Sequence, residues 1–245
     1  MPFKRIFIII LVFLSCKKIG IEENWERKIY AFSILNPKEY YITCIVDSNY
    51  SIEKEVKTYG ITEAKVFIVN EETKETLNLR HYWNGIYQET NLRWPNLDFF
   101  VKPLNTYSLW VIFQNDTLTK KTIVPDTFSI TFPKNNDTLH YDSLNYFNWE
   151  RSRGAVAYAL FIFRLPRDTL AEYFPLFTQD TFLDIREIKE ALFDTTSYYQ
   201  LRVYAFDYNR YQWTIKRGEL DTLYHGLGHF SSQTNDEIII FVRKD

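Results

Sequence analysis

Residues 40–46 read YYITCIV, and these seven positions decide the fold class. Tyr40, Ile42, Cys44 and Val46 fall on one side of an extended chain, and Tyr41, Thr43 and Ile45 fall on the other. A period of two is the pattern of a strand that lays one face on a core. Working outward, further strands are predicted over residues 64–70, 85–90, 106–113 and 116–124, with Asn115-Asp116 as the tight turn between the last two. Pro125 followed by Asp126-Thr127 marks a boundary. Beyond it strands are predicted over 128–132, 145–149, 158–163, 182–185, 198–206 and 237–242, with one short helical turn at 186–192. The stretch after Cys16 carries no long amphipathic helical period, and this spacing of short strands is that of β-sandwiches.

Composition agrees. The 245 residues are 18% aromatic, with 18 Tyr and 20 Phe, while Gly and Met are scarce. Aromatic and β-branched residues suit pleated, half-buried surfaces. Asp-Thr recurs at Asp116, Asp126, Asp137, Asp168, Asp180, Asp194 and Asp221, each time able to cap a turn and start a strand. Scattered one per turn, these acids do not form a calcium loop, although Asn135 and Asn136 cluster with Asp137. Cys44 alternates with Ile42 and Val46 and is expected in the core.

The chain begins MPFKRIFIIILVFLSCKK. Lys4 and Arg5 precede an apolar run over 6–14, far short of the roughly 20 residues a spanning helix needs. Ser15-Cys16 closes it as a lipoprotein signal does, with Phe13 where Leu is usual, so Cys16 is the expected lipidated N-terminus. Lys17 beside it carries no signal for inner-membrane retention, which points to the outer membrane of the cell envelope. Acyl chains contribute about 0.8 kcal/mol per buried CH₂, so such an anchor is durable. Residues 17–37 are of mixed polarity and are expected to act as a tether, with one short helical or extended piece at 25–35. Removing Lys4 and Arg5 from the 29 basic residues leaves 27 against 31 acids, a net −4 without basic blocks, which argues against nucleic acid as a partner. With Cys16 used as anchor, Cys44 stands alone and no intrachain disulfide forms.

Few residues invite chemistry. His225 and His229 are four apart, but Gly226 and Gly228 disfavour the helix that would align them on a metal, and no zincin Glu accompanies them, so a solvent-facing loop is expected. No G-x-S-x-G or S-x-x-K motif supplies a nucleophile, and Ser231-Ser232 is near His229 in sequence only. Glu22-Glu23 and Glu71-Glu72 are expected in a tether and a solvated turn. No catalytic residue, metal site or cofactor is therefore assigned. A rival hydrolase reading would place its pocket around Asp207, His225 and His229, in an irregular connection over 208–232. What remains is the aromatic excess: Trp83 in HYWNG, Trp94 in LRWPN and Trp213 in YNRYQWT are the candidate ligand-binding residues.

Two stretches carry resemblances. GITEAKVFIVNEETKETLNL, NGIYQE and VKPLNTYSLWVIF, at 60–79, 84–89 and 101–113, resemble the strands of transthyretin-like or carboxypeptidase-regulatory-like sandwiches. That likeness implies Ala64, Val66 and Ile68 in a core, Gly85 at a close turn, and Tyr87, Tyr107 and Leu109 as filling. YFNWERSRGAVAYALFIF at 146–163 and TTSYYQLRVYAFD at 195–207 resemble a fibronectin type III or immunoglobulin-like domain. The likeness implies Trp149 between the sheets, a turn at Gly154 and Tyr199 as a tyrosine corner. In tandem, with GLGHFSS at 226–232, the two are similar to the Bacteroidota envelope lipoproteins grouped as domain of unknown function 4249. The resemblance implies architecture and location and carries no activity.

The expectation is an all-β chain: a lipoprotein signal peptide (1–15), a lipidated tether (16–39) and two tandem sandwiches (40–125 and 126–245). It would serve as a non-catalytic binding or accessory module in envelope assembly or uptake, with an envelope protein or a glycan as partner. The alternative is a structural or adhesive spacer.

Overall fold

The computed structural model describes residues 28–48, 60–93, 95, 98–166, 175–215, 222–223 and 226–244. The leader with Cys16, and also Trp94 and His225, lie outside them. In the first half the strands are β1 (Ile29–Leu35), β2 (Tyr41–Ser48), β3 (Lys65–Asn70), β4 (Thr76–Trp83), β5 (Ile86–Thr90), β6 (Leu92–Arg93), β7 (Asp98–Phe99), β8 (Thr106–Phe113) and β9 (Asp116–Ile123). In the second they are β10 (Ile130–Phe132), β11 (Thr138–His140), β12 (Tyr146–Trp149), β13 (Ala157–Leu165), β14 (Leu176–Thr178), β15 (Phe182–Asp184), β16 (Ser197–Phe206), β17 (Thr222–Leu223) and β18 (Gly226–Arg243). Two short helices, α1 (Lys189–Leu192) and α2 (Tyr208–Thr214), and a 3₁₀ turn at Tyr141–Ser143 complete the elements among the described residues.

The first sandwich faces β18-β1-β2-β5-β4 against β4-β3-β8-β9. Strand β4 serves both sheets, pairing with β3 through Leu79 and with β5 from Arg80. Ile42, Cys44 and Val46 point into the core as their alternation requires, opposite Val66, Ile68, Leu109 and Val111. Burial pushes the Cys44 thiol up to about 12, so it packs as an apolar residue. Asn84 (φ 41°) and Gly85 (φ 76°) make the two-residue hairpin joining β4 to β5. The β8–β9 loop differs by one residue from expectation, being Gln114-Asn115 with Asp116 already in β9.

The second sandwich sets β10-β12-β15 against β14-β13-β16-β18, with β11 parallel on the outer flank of β18. Trp149 is buried between the sheets beside Tyr158, 5.5 Å between ring centres, and Gly154 takes φ 84° in the turn before β13. Tyr199 donates its hydroxyl to the Thr195 carbonyl at 2.8 Å, the tyrosine-corner bond. The same device recurs at three more buried tyrosines. Tyr87 bonds Ile61 and Ala64, Tyr107 bonds Phe100 and Lys102, and Tyr158 bonds Ser152. Each ring fills the core while its hydroxyl satisfies loop backbone, a physical use for the high tyrosine content.

Two corrections concern the chain's ends. Residues 29–35, expected in the tether, form an interior strand between β2 and β18. Their apolar character on both sides, IYAFSIL, suits a strand covered on both faces, which hides the period of two. The stretch 208–232 is not irregular where described: it contains α2 and the first part of β18. Leu227 to Ser232 pair parallel with β1, after which Gln233 to Val242 pair antiparallel with β16. One 18-residue strand thus belongs to both sandwiches, with Phe230 in the first core and Ile238, Ile240 and Val242 in the second. The range 126–245 therefore does not separate as a self-contained unit. Gly228 makes the crossing possible: its φ is 144°, and an added Cβ would lie 1.9 Å from the Ala31 carbonyl oxygen.

Candidate functional site

The polar residues the sequence singled out converge where the sandwiches meet. Asp207 follows β16, caps α2 by accepting the Arg210 N–H at 2.8 Å, and is buried. Its other oxygen accepts from the Thr122 hydroxyl of β9. Thr122 also lies 3.0 Å from the Ser232 hydroxyl, which donates to the Ile123 carbonyl at 2.9 Å. Thr234 and Ser152 both donate to the Asp126 carbonyl. Asn209 of α2 donates to the carbonyls of Lys121 and Phe230. The crossing segment 123–126 is thereby stitched to β18 by hydroxyls, the role Ser232 performs. Burial pushes the Asp207 carboxyl above its usual range, opposed by the bond from Thr122. A cavity of about 370 Å³ lies beside this cluster, lined by Thr106, Thr122, Asp207 and the exposed ring of Tyr208.

His229 does not lie in a solvent-facing loop. It is fully buried in β18, its ring 4.8 Å from Trp213 at 28° and 5.4 Å from Phe32. Among the described residues neither ring nitrogen has a hydrogen-bond partner. Burial first, then the charges of Arg210 and Lys120, hold its pKa down to about 3. The imidazole is therefore neutral at physiological pH and exchanges no proton there. It lines neither the cavity beside Asp207 nor the one described below. In this part of the rival hydrolase site the histidine fills an aromatic stack and the aspartate caps a helix. Among the described residues no cluster of three or more His, Cys, Asp or Glu could hold a metal ion. Asn135 and Asp137 spend side-chain oxygens on the N–H groups of Ile239 and Lys134. Glu71 is likewise engaged: bonds from Ser108, Lys121 and Lys74 pull its carboxyl down to about 2.

Of the candidate aromatic residues, Trp213 sits on α2 and packs on Phe32 and His229. Trp83 ends β4 at the hairpin and is 65% exposed, with Tyr82 beside it at 74%. Register places Trp83 in a row across the outer face of the sheet: Trp83 opposite Ile86, Ile86 opposite Ile45, Ile45 opposite Phe32, Phe32 opposite His229. Directly opposed residues share a face. Helix α2 covers one end of this row through Trp213, while Ile45 at 41% and Trp83 remain open to solvent. Tyr41, also exposed, lies on the same face of β2. Sequence reasoning named Trp83 and missed Tyr41 and Ile45. Their signal was present in YYITCIV, where the face turned away from the core is itself apolar at two of three positions.

No family model matches the chain, and no curated protein matches it. Among solved structures it is similar to fibronectin(III)-like modules of Clostridium thermocellum CbhA (11% identity, 89% of this chain and 95% of that one, TM-score 0.26). It is also similar to a tetra-tandem repeat in the extending region of a large adhesion protein (9% identity, 87% and 49%, TM-score 0.24). A third is the three N-terminal domains of the bacteriophage RB49 highly immunogenic outer capsid protein (10% identity, 90% and 71%, TM-score 0.27). The sandwich assignment stands on the strand orders and registers described above.

Proposed function

We propose that this chain is a non-catalytic binding or accessory module of the cell envelope, held to the outer membrane by a lipid on Cys16, of the domain of unknown function 4249 kind. Its partner is an envelope protein that docks on the outer face of β2, β5 and β4. The observation that carries this reading is the open row from Ile45 to Trp83, flanked by Tyr41 and Tyr82. Aromatic anchors within an apolar patch are the usual core of a protein interface. The leader sequence supports the anchor, and the neutral, buried His229 speaks against hydrolysis at this junction.

Site-specific photo-crosslinkers at positions 45 and 83 of the lipidated protein, in native membranes, test the docking face. Adducts to one envelope protein from 45 and 83, and none from 146 on the second sandwich, are expected. Unselective adducts at all three positions, or Trp fluorescence protected by envelope glycans instead, would overturn it. Cys16→Ala is expected to move the protein from the membrane to the soluble fraction. A rigid spacer is the second reading, favoured by the sharing of β18 between both sandwiches. It predicts that changes at 45 and 83 alter no interaction.

A further inference from the structure

The outward face of the second sandwich holds a cavity that none of the roles above uses. Its volume is about 230 Å³, and it is lined by Phe161, Phe163, Tyr204, Phe206, Gln233 and Arg210. Phe161 stacks on Phe163 at 6.3 Å and 9° and meets Tyr204 edge-on at 5.5 Å, so two neighbouring strands present a nearly continuous aromatic wall. Arg210 reaches this wall from α2, its guanidinium 5.4 Å from the centre of the Phe206 ring.

Among the described residues the guanidinium makes no ion pair and no side-chain hydrogen bond, and its Nε is shut off from solvent without a partner. The guanidinium feels the Asp207 carboxylate, which accepts hydrogen bonds from the Thr122 hydroxyl and the Arg210 backbone N–H but forms no ion pair with it among the described residues, and Glu237 pairs with Arg202 at 2.7 Å. A cation over an aromatic ring recovers part of its lost hydration, but a partly buried cation whose nearby carboxylate makes no direct ion pair with it keeps part of its desolvation cost. A planar fork of donors beside aromatic rings suits a carboxylate attached to a flat apolar body. The Gln233 amide lines the same space and adds a donor.

We propose that this cavity is a binding site for a small aromatic monocarboxylate, the carboxylate on Arg210 and the ring against Phe161 and Phe163. The cavity opens on the second sandwich, away from Ile45 and Trp83, and is linked to the docking row only through α2, which carries both Arg210 and Trp213. Its small size, below the usual range for drug-sized ligands, restricts it to single-ring compounds.

Titration of the full chain with phenylacetate, followed by isothermal calorimetry and by ring-proton NMR, tests the site, with phenylacetamide, acetate and inorganic phosphate as controls. Saturable binding of phenylacetate is expected, at least tenfold tighter than any control. Arg210→Met keeps apolar volume and removes the charge, and is expected to weaken binding at least tenfold with no fall in melting temperature. Should that variant not fold, Phe163→Ala at the opposite wall serves, with at least a fivefold loss expected. Absence of saturable binding, equal affinity for phenylacetamide or phosphate, or affinity within twofold of wild type in the folded variant overturns the proposal.

Discussion

Replacing His229 by Phe keeps a flat ring between Phe32 and Trp213 while deleting two buried nitrogens that have no partner among the described residues. An unmet buried polar group costs about 1–3 kcal/mol, so His229→Phe is expected to stabilise the protein by about that amount at pH 7. In a chain of this size each kcal/mol raises Tm by about 2–4 °C. The pH dependence separates this effect from packing. The folded imidazole is held down to about 3, whereas the unfolded one titrates at the ordinary 6.5. Between those values the unfolded state binds a proton that the folded state refuses. Stability is therefore full above 6.5 and falls as pH drops toward 3, by up to about 1.4 kcal/mol per pH unit. From pH 7 to pH 5 this loss is about 2 kcal/mol, and the variant lacks it. Asp207, raised by burial, acts in the opposite sense but is common to both proteins and cancels in the comparison. Urea unfolding followed by far-UV circular dichroism at pH 7 and pH 5 measures the difference. The gap between variant and wild type should widen by about 2 kcal/mol at the lower pH. A gap that is the same at both values would refute the assignment of a buried neutral imidazole, and a variant less stable at pH 7 would refute the cost assigned to its nitrogens.

Other substitutions probe the remaining steps of the argument. Gly228→Ala sets a methyl against the Ala31 carbonyl where both strands are fixed, so a loss of more than about 4 kcal/mol is expected, read as a collapsed thermal melt. A loss below about 1 kcal/mol would mean that β1 and β18 do not approach so closely. Tyr107→Phe strands the Phe100 carbonyl and the Lys102 N–H, which the hydroxyl bonds at 2.9 Å and 2.7 Å, and should cost about 2–4 kcal/mol in urea unfolding. Trp83→Ala, at an exposed position, should leave stability within about 0.5 kcal/mol of wild type while removing the adducts formed from position 45.

How much could be read from the sequence differs from element to element. The strand pair β8 and β9 was legible because its alternation is regular and its turn short, and β13 and β16 were legible as strands by their alternation, though not as partners, since residues 166–196 lie between them. The buried roles of Cys44, Trp149 and Tyr199 followed from the same patterns and from the family likeness. In the candidate site, Trp83 was legible as an aromatic residue next to an Asn-Gly turn. Arg210 was not, since nothing in YNRYQWT distinguishes a guanidinium facing an aromatic wall from one facing water.

The sequence by itself determined that the fold is built chiefly of strands and which side of most of them meets a core, because side-chain direction alternates with each residue and is a local property. The tertiary structure decided what crosses between the halves. That β1 lies beside β18, with Asn36 donating to the Asn235 side chain at 3.0 Å across 199 residues of chain, depends on closing a sheet between distant segments. It also decided that His229 is neutral and sealed, since its environment comes from β1, α2 and β9, and burial is a sum over neighbours that no single stretch of sequence contains.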